Sequence, residues 1–212
     1  MLHSNVEKNW LRVELMYSVI HEYFNLTKDS DFRKRIINNE NIFPYNLSDS
    51  QNMNKESSLV DMVIVWGVVA LESLVNYALA ELQNDFELSK KSINNPNKVL
   101  KDRNVSPIPE SKLATKIVIL KNDPNDLIIA LADKLSNNRN KIIHDKPIDY
   151  EMYDDDEVIT HYGSTNTYFP SYRYEDLKDF FSQCDEIKNY IIKDNILVTL
   201  EIRDFSTLIK TS

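Results

Sequence analysis

Glycine is nearly absent from this chain, since only Gly67 and Gly163 occur among its 212 residues. Phosphate-cradling loops and dinucleotide-binding turns need several glycines at fixed spacing, so the sequence excludes both. A β protein rich in tight turns is disfavoured for the same reason. The single Cys184 has no partner for an intramolecular disulfide and excludes a multi-cysteine zinc site, which fits a reducing cytosol.

The sequence also lacks a secretory signal, a long uninterrupted membrane span and an excess of positive charge. Its first residues contain no basic segment followed by an apolar one. The most apolar stretch, Met62–Leu71, is about half of a membrane span long before Glu72 interrupts it. We therefore expect a cytoplasmic protein with a buried helix there and no membrane partner. The net charge of −8 disfavours nucleic-acid binding over the whole surface but permits a local basic cleft.

Apolar residues recur at three- and four-residue steps along most of the chain, which is the pattern of amphipathic helices. The strongest element is 57–82, which is apolar around most of its circumference and has no proline, so we predict a central core helix there. Asp123 is expected to cap a later helix, with Pro124 in its first turn. The polar stretch 38–56 and the proline-containing stretch 92–110 are predicted to be connections. The other predicted helices are 6–26, 31–37, 111–120, 124–145 and 174–193.

Residues 148–171 have a different character, because tyrosines are scattered there among acidic residues. The segment VITHYGSTNTYF is consistent with a hairpin that turns at Gly163-Ser164. We therefore predict an all-α fold, an antiparallel helical bundle with a long central helix and a small irregular or hairpin insertion near 148–171. Residues 1–212 form one domain with its core at about 57–195, and 1–56 pack on that core.

The segment LSNNRNKIIHDKP, residues 135–147, carries the strongest chemical signal. On a helix, Arg139 falls in the core stripe, whereas His144 continues a polar stripe. At about 100° per residue the two side chains point roughly 140° apart, so they do not face each other within one regular helix. Either the long arginine reaches around the helix, or a two-fold dimer pools the residues from two chains. The core stripe also contains Ile128, Leu131, Leu135 and Ile142, and the polar stripe contains Asp133, Asn137 and Asn140.

Arg139-Asn140 followed by His144 resembles the Arg-polar-x(3)-His signature of the HEPN superfamily (higher eukaryotes and prokaryotes nucleotide-binding). The helical context is similar too, with the motif late in a long helix and the apolar helix WGVVALESLVNYALAEL upstream. The resemblance covers roughly residues 57–195. It departs from the family in one respect, because toxins paired with a minimal nucleotidyltransferase antitoxin carry a tyrosine two residues after the histidine, where this chain has Lys146.

The resemblance implies a HEPN-like bundle that works as a metal-independent endoribonuclease of the toxin or antiviral-defence type. His144 would act as general base or acid, and Arg139 would bind the scissile phosphate at a homodimer interface. Asn140 would orient the imidazole or bind phosphate. No cofactor or metal is implied, because RNA supplies its own 2′-hydroxyl nucleophile. The expected partners are RNA, a second copy of the chain, and an antitoxin or defence-system protein.

Other readings of the same residues stay open. A basic residue in a last helical turn is favoured by the helix dipole, so His144 is also explained as a helix end. Arg139 in an apolar stripe is also explained as a structural ion pair, with Glu72 as its natural partner. The protein would then be a non-catalytic HEPN-like dimerisation or RNA-binding module, or a helical scaffold outside the superfamily.

Three weaker patterns accompany the motif. The acidic run 154–157 has the ligand type for Mg²⁺ or Ca²⁺ but the spacing of a solvated loop. His161 is more typical of a strand edge or a loop than of a site, and the tyrosines of 150–172 suit packing better than base stacking. A basic patch is the best local candidate for RNA-backbone contacts. It comprises Lys90, Lys91, Lys98, Lys101 and Arg103, with Lys141 on the motif helix as a further candidate.

Overall fold

The computed structural model describes residues 2–30, 34, 47–82, 86–121, 125–143, 147–154, 157–164, 173–193 and 202–210. Within them the fold is an all-α bundle of eight α-helices, accompanied by one two-stranded antiparallel hairpin. The helices are α1 (Leu2–Thr27), α2 (Leu47–Leu82), α3 (Phe86–Asn94), α4 (Pro96–Asp102), α5 (Lys112–Lys121), α6 (Asp126–Ile143), α7 (Leu177–Ile192) and α8 (Ser206–Lys210). The strands are β1 (Pro147–Asp154) and β2 (Glu157–Ser164), and a 3-10 turn at Tyr174–Asp176 leads into α7.

Helix α2 is the centre of the bundle, as its apolar circumference predicts. It packs against α1, α5, α6 and α7, so most of its length is surrounded by other helices. Gly67 allows the closest approach, because a Cβ placed there would lie 2.6 Å from the ring of Phe180 on α7. The segment Lys55–Glu81 is long and apolar enough to cross a membrane by length and composition alone, yet half of its most apolar window is buried inside the protein.

Helix α1 runs antiparallel to α2. The guanidinium of Arg12 lies over the ring of Trp66 at 4.5 Å, while Tyr23 donates a hydrogen bond to the backbone oxygen of Asn52. Arg12, the earlier residue of α1, thus contacts the later residue of α2, and Tyr23, the later residue of α1, contacts the earlier residue of α2. The core side of α1 buries Val6, Trp10, Val13, Tyr17 and Ile20. The predicted helix 6–26 is therefore confirmed, and it is slightly longer at both ends.

Two predicted connections contain helices. Helix α2 begins at Leu47, so the second half of the predicted loop 38–56 is helical. The predicted connection 92–110 contains the end of α3 and all of α4. Pro96 does not prevent α4 from forming, because it occupies the first turn, where a helix does not need its N–H group. The predicted helix 31–37 lies outside the described residues except for Lys34, as do 38–46.

The helix at 57–82 is confirmed but begins ten residues earlier, and the helices at 111–120 and 174–193 are confirmed with small shifts of their ends. Asp123, expected to cap α6, and Pro124, expected in its first turn, lie outside the described residues, so that expectation stays a prediction. Among the described residues, the side-chain oxygen of Asn125 accepts a hydrogen bond from the backbone N–H of Leu127 at 2.9 Å at the start of α6.

The hairpin exists, but the predicted turn is wrong. Gly163 pairs with Ile148 and Ser164 with Pro147, so both lie at the open end of the hairpin. The strands are joined after Asp154, which pairs with Glu157 across the connection. A short connection among acidic residues therefore replaces the glycine-containing turn that the sequence favoured.

Candidate functional site

Arg139 lies on the buried side of α6, where its helical phase predicted it. Ile128, Ala132, Leu135 and Ser136 of the same helix are buried, whereas the Arg139 side chain keeps 22% of its surface exposed. Its Nη2 atom lies 3.6 Å from Oε2 of Glu72 on α2, whose side chain is also 22% exposed. The Arg139–Glu72 ion pair expected from two charges in apolar helix faces is therefore confirmed.

A second cation, Lys116 of α5, belongs to this site and was missed by the sequence analysis. Lys116 is only 5% exposed. Burial lowers the pKa of its ammonium, the carboxylate of Glu72 raises that pKa, and the charges of Lys112 and Arg139 lower it further. Glu72, Lys116 and Arg139 thus form one electrostatically coupled group on three helices, which we call the cationic cluster. It holds two positive charges against one negative charge.

Polar atoms without partners surround the cationic cluster. Among the described residues, the buried Nε of Arg139 has no hydrogen-bond acceptor, and the Oγ of Ser136, one turn earlier on α6, has no partner. On α2, Oδ1 of Asn76 is also unsatisfied, one turn after Glu72. Unpaired buried polar atoms are costly, so they mark a place where a ligand or water can bind with gain.

His144 lies outside the described residues, as do Asp145 and Lys146; the last described residue of α6 is Ile143. The predicted separation between His144 and Arg139 within one helix therefore stays a prediction. Asn140, one turn before His144 in the sequence, is exposed at the surface of α6. Ile143 is an apolar residue with 47% of its surface exposed, so the end of α6 presents apolar surface beside the motif.

Two members of the polar stripe of α6 have structural partners. Asp133 accepts hydrogen bonds from the backbone N–H of Ser111 at 2.7 Å and of Glu110 at 3.3 Å, and thereby holds the two residues that precede α5. Asn137 donates from Nδ2 to Oε2 of Glu110 at 3.2 Å. This stripe therefore anchors the segment before α5, and Asn140 is its exposed member.

The predicted basic patch is divided in the structure. Lys91 donates to Asp102 at 2.6 Å, and this hydrogen bond is the main reason why the pKa of Asp102 is lowered, so the charge of Lys91 is neutralised locally. Lys98, Lys101 and Arg103 are exposed on or just after α4. Arg103 faces α6 across a groove, whereas Lys141 is exposed on the last turn of α6.

The remaining sequence candidates add nothing to the cationic cluster. Asp154 and Glu157 end the two strands next to the connection, and residues 155 and 156 lie outside the described residues. His161 pairs with Tyr150 along the hairpin backbone. Tyr168, Phe169 and Tyr172 lie outside the described residues. Within the described part of the chain, no group of three or more His, Cys, Asp or Glu residues is placed to hold a metal ion.

No protein-family model, curated protein or solved structure matches this chain. The arrangement of its own residues therefore carries the functional argument. Lys116 could have been found from the sequence by the signal that identified Glu72 and Arg139, a single charge within an apolar helical run, here ATKIVIL.

Proposed function

We propose that this protein is a cytoplasmic, metal-independent endoribonuclease of the toxin or antiviral-defence type, with a HEPN-like fold. The observation that carries the proposal is the cationic cluster. Arg139 forms an ion pair with Glu72, and Lys116 is electrostatically coupled to the same carboxylate, so an excess positive charge stands at a place only partly open to water. A phosphate diester there would neutralise the excess by binding the partly exposed guanidinium of Arg139.

The physical gain from such binding is large for a surface site. Charge interactions strengthen as water is excluded, and a planar guanidinium grips a phosphate through two parallel donors. Glu72 occupies only part of this fork at 3.6 Å, so donors remain for a ligand. Arg139 would therefore bind the phosphate and stabilise the negative charge that grows on its oxygens during attack.

The reaction follows from RNA chemistry. His144 takes the proton from a ribose 2′-hydroxyl, the 2′-oxygen bonds to the adjacent phosphorus, and the bond to the 5′-oxygen breaks. A protonated imidazole returns a proton to that leaving oxygen. The products are a 2′,3′-cyclic phosphate and a free 5′-hydroxyl, with no metal required. Asn140, four residues before the histidine in the sequence, would orient it.

A homodimer completes the site in this proposal. Within one regular helix His144 and Arg139 would point roughly 140° apart, so a two-fold partner is the simplest way to bring a histidine to a cationic cluster. Ile143, exposed at the end of α6, would lie in such an interface. An antitoxin or defence-system protein would control the activity.

A non-catalytic dimerisation or RNA-binding module is the second candidate. The Arg139–Glu72 ion pair favours it, because a guanidinium already paired at a helix interface has a structural use of its own. In that case Arg139 holds α6 on α2, and changes at the motif affect stability or association only.

The experiment measures cleavage of a labelled RNA pool in EDTA by wild type, Arg139→Lys and His144→Ala. Loss of the planar fork and of the proton-transfer group should each reduce cleavage by about 10²–10⁴-fold. Arg203→Lys is the matched control, because Arg203 is exposed and lies outside the motif and the cationic cluster. Circular dichroism and light scattering verify that the variants fold and dimerise as wild type does.

Cyclic-phosphate ends that depend on both residues support the ribonuclease proposal. An inert wild type whose motif variants change only melting temperature supports the non-catalytic module. The same variants can be compared for growth inhibition on expression, where each should relieve toxicity at equal soluble yield.

A further inference from the structure

The outer side of α1 carries apolar residues that the bundle does not cover. In the described part of the chain seven large apolar residues are exposed, and four of them lie on this one helix. Leu11 and Leu15 are each 52% exposed, Val19 is 48% exposed and Leu26 is 80% exposed. Single exposed apolar residues are ordinary on protein surfaces, whereas a row of them along one helix marks a contact surface.

Five exposed residues of α1 lie along one straight line, which we call the α1 stripe: Lys8, Leu11, Leu15, Val19 and Glu22. At about 100° per residue, the other four side chains point within about 40° of the direction of Leu15. The buried core residues of α1 lie on the opposite side of the helix. The stripe therefore faces outward and is available to a partner.

The order of residues along the α1 stripe is symmetric about Leu15. Leu11 comes four residues before Leu15, and Val19 comes four residues after it. Lys8 comes seven residues before Leu15 and Glu22 seven residues after it. A cation and a carboxylate thus end the stripe at equal distances from Leu15, about 10 Å along the helix axis. Within the described residues, neither charged side chain makes a hydrogen bond or an ion pair.

A second copy of the same helix complements this order when it runs antiparallel. With the Leu15 side chains of both chains at a two-fold axis, Leu11 of each chain lies opposite Val19 of the other. Lys8 of each chain then lies opposite Glu22 of the other, so both charged ends are paired. A parallel arrangement would place lysine against lysine and glutamate against glutamate, which is repulsive. The stripe is therefore complementary to an antiparallel copy of itself.

We propose that α1 packs antiparallel on α1 of a second copy of this chain through the α1 stripe. The apolar centre of the stripe supplies the attraction, and the two Lys8–Glu22 pairs fix the direction and the register of the helices. This interface does not depend on the proposed ribonuclease activity, because no residue of the stripe belongs to the motif or to the cationic cluster. Where an α6 interface also forms, the two surfaces together build an assembly larger than a dimer.

Charge reversal tests the pairing. Lys8→Glu places a carboxylate against Glu22 of the other copy, and Glu22→Lys places an ammonium against Lys8. Each variant alone should raise the dissociation constant of this interface by at least about tenfold, because every dimer contains the contact twice. An equimolar mixture of the two variants restores both contacts and should associate as wild type does. The matched controls are Lys178→Glu and Glu186→Lys at exposed positions of α7, which should leave association unchanged.

Leu15→Cys tests the position of the two-fold axis. Two cysteines at the axis come close enough for a disulfide between the chains, whereas the natural Cys184 is buried. Air oxidation should therefore give a covalent dimer of Leu15→Cys on a non-reducing gel. Lys178→Cys, exposed on α7, is the control and should stay monomeric on the same gel.

Light scattering over a concentration series measures the assembly, and circular dichroism verifies that the variants fold as wild type does. Each single reversal should halve the mass of the wild-type assembly. A monomeric wild type, a mass that neither reversal lowers, or a mixture that stays dissociated overturns the inference.

The outcomes separate this interface from the proposed activity. If the reversals dissociate the protein and their mixture reassembles while wild type cleaves no RNA, the α1 interface stands and the ribonuclease proposal fails. If wild type cleaves RNA and the reversals leave its mass unchanged, the α1 interface fails alone.

Discussion

Replacing Lys116 by methionine should stabilise the protein at neutral pH. Lys116 is 5% exposed and carries a depressed pKa because burial disfavours its charged form. Methionine keeps a straight apolar side chain of similar length and removes the buried charge. Replacing a whole buried ion pair by apolar residues of similar volume is neutral or stabilising by ~1–4 kcal/mol, and Lys116→Met removes a buried cation while Glu72 keeps Arg139 as its partner. We expect about 1 kcal/mol, at the low end of that range, because Glu72 loses one of its two cations.

The pH dependence gives a sharper test. The folded pKa of Lys116 lies below its ordinary value of 10.5, so the folded state binds this proton less tightly than the unfolded state does. The cost of the charge is full below the folded pKa and disappears as pH rises from the folded pKa toward 10.5. The advantage of Lys116→Met should therefore be largest near pH 7 and shrink in alkaline solution.

Glu72→Gln should have the opposite effect. It leaves Lys116 and Arg139 without their shared carboxylate, and we expect a loss of roughly 1–3 kcal/mol, less than for a fully buried pair because both partners of the ion pair are partly exposed. Adding Lys116→Met to Glu72→Gln should recover part of that loss, since one of the two repelling charges is then gone.

Urea unfolding followed by circular dichroism at pH 7 and pH 9.5 measures all four proteins. Lys178→Met is the matched control, an exposed lysine on α7 outside the cluster, and should change stability by less than about 0.5 kcal/mol. A Lys116→Met variant that is clearly less stable than wild type at pH 7, together with a neutral Glu72→Gln, would refute the electrostatic account of the cluster.

Three further predictions concern the core. Gly67→Ala should destabilise the fold by about 1–3 kcal/mol in urea unfolding, because the new methyl group meets Phe180 and outweighs the gain in helix propensity; equal or higher stability would contradict this packing. Burial raises the pKa of Asp61 to about 6 from 3.8, so its charge destabilises the folded state above pH 6 and is relieved as pH falls toward 4. Asp61→Asn should therefore gain about 1 kcal/mol at pH 7, a value discounted for partial exposure, and nothing at pH 4. Asp185→Ala should lose about 2–3 kcal/mol, because Asp185 is buried and accepts backbone hydrogen bonds from Phe205 and Ser206 at the start of α8; a change below 0.5 kcal/mol would be inconsistent with that role.

Charges within apolar helical runs were the most predictive feature of the sequence. Glu72 and Arg139 interrupt two helix faces that otherwise pack, so their pairing follows from the cost of burying either charge alone. Lys116 obeys the same rule, yet nothing in the motif pointed to it, because α5 meets the other two helices only through tertiary packing. The coupling of three helices could not be predicted from the periodicity of any one of them.

The elements that were predicted wrongly share a different cause. The prolines of 92–110 predict a connection, although proline is also favoured in a first helical turn, and the short α4, which begins at Pro96, packs on α5. Local propensity likewise favours a turn at Gly163. The observed register instead joins the strands after Asp154, at a place with no glycine. Local turn preference is weaker than the pairing of two complete strands.

The packing of Trp10 has a consequence for how the protein is made. Its indole donates a hydrogen bond to the backbone oxygen of Arg203, 193 residues later, and stacks on Phe205 at 4.1 Å. A ribosome adding ~5–20 residues per second needs roughly 10–40 s between these positions. During that interval α1 can pair with α2, which follows it closely, but Trp10 stays without its final partners. The contacts of Trp10 with Arg203 and Phe205 therefore form last, and a nascent chain stalled before residue 203 would present an exposed tryptophan to chaperones and proteases.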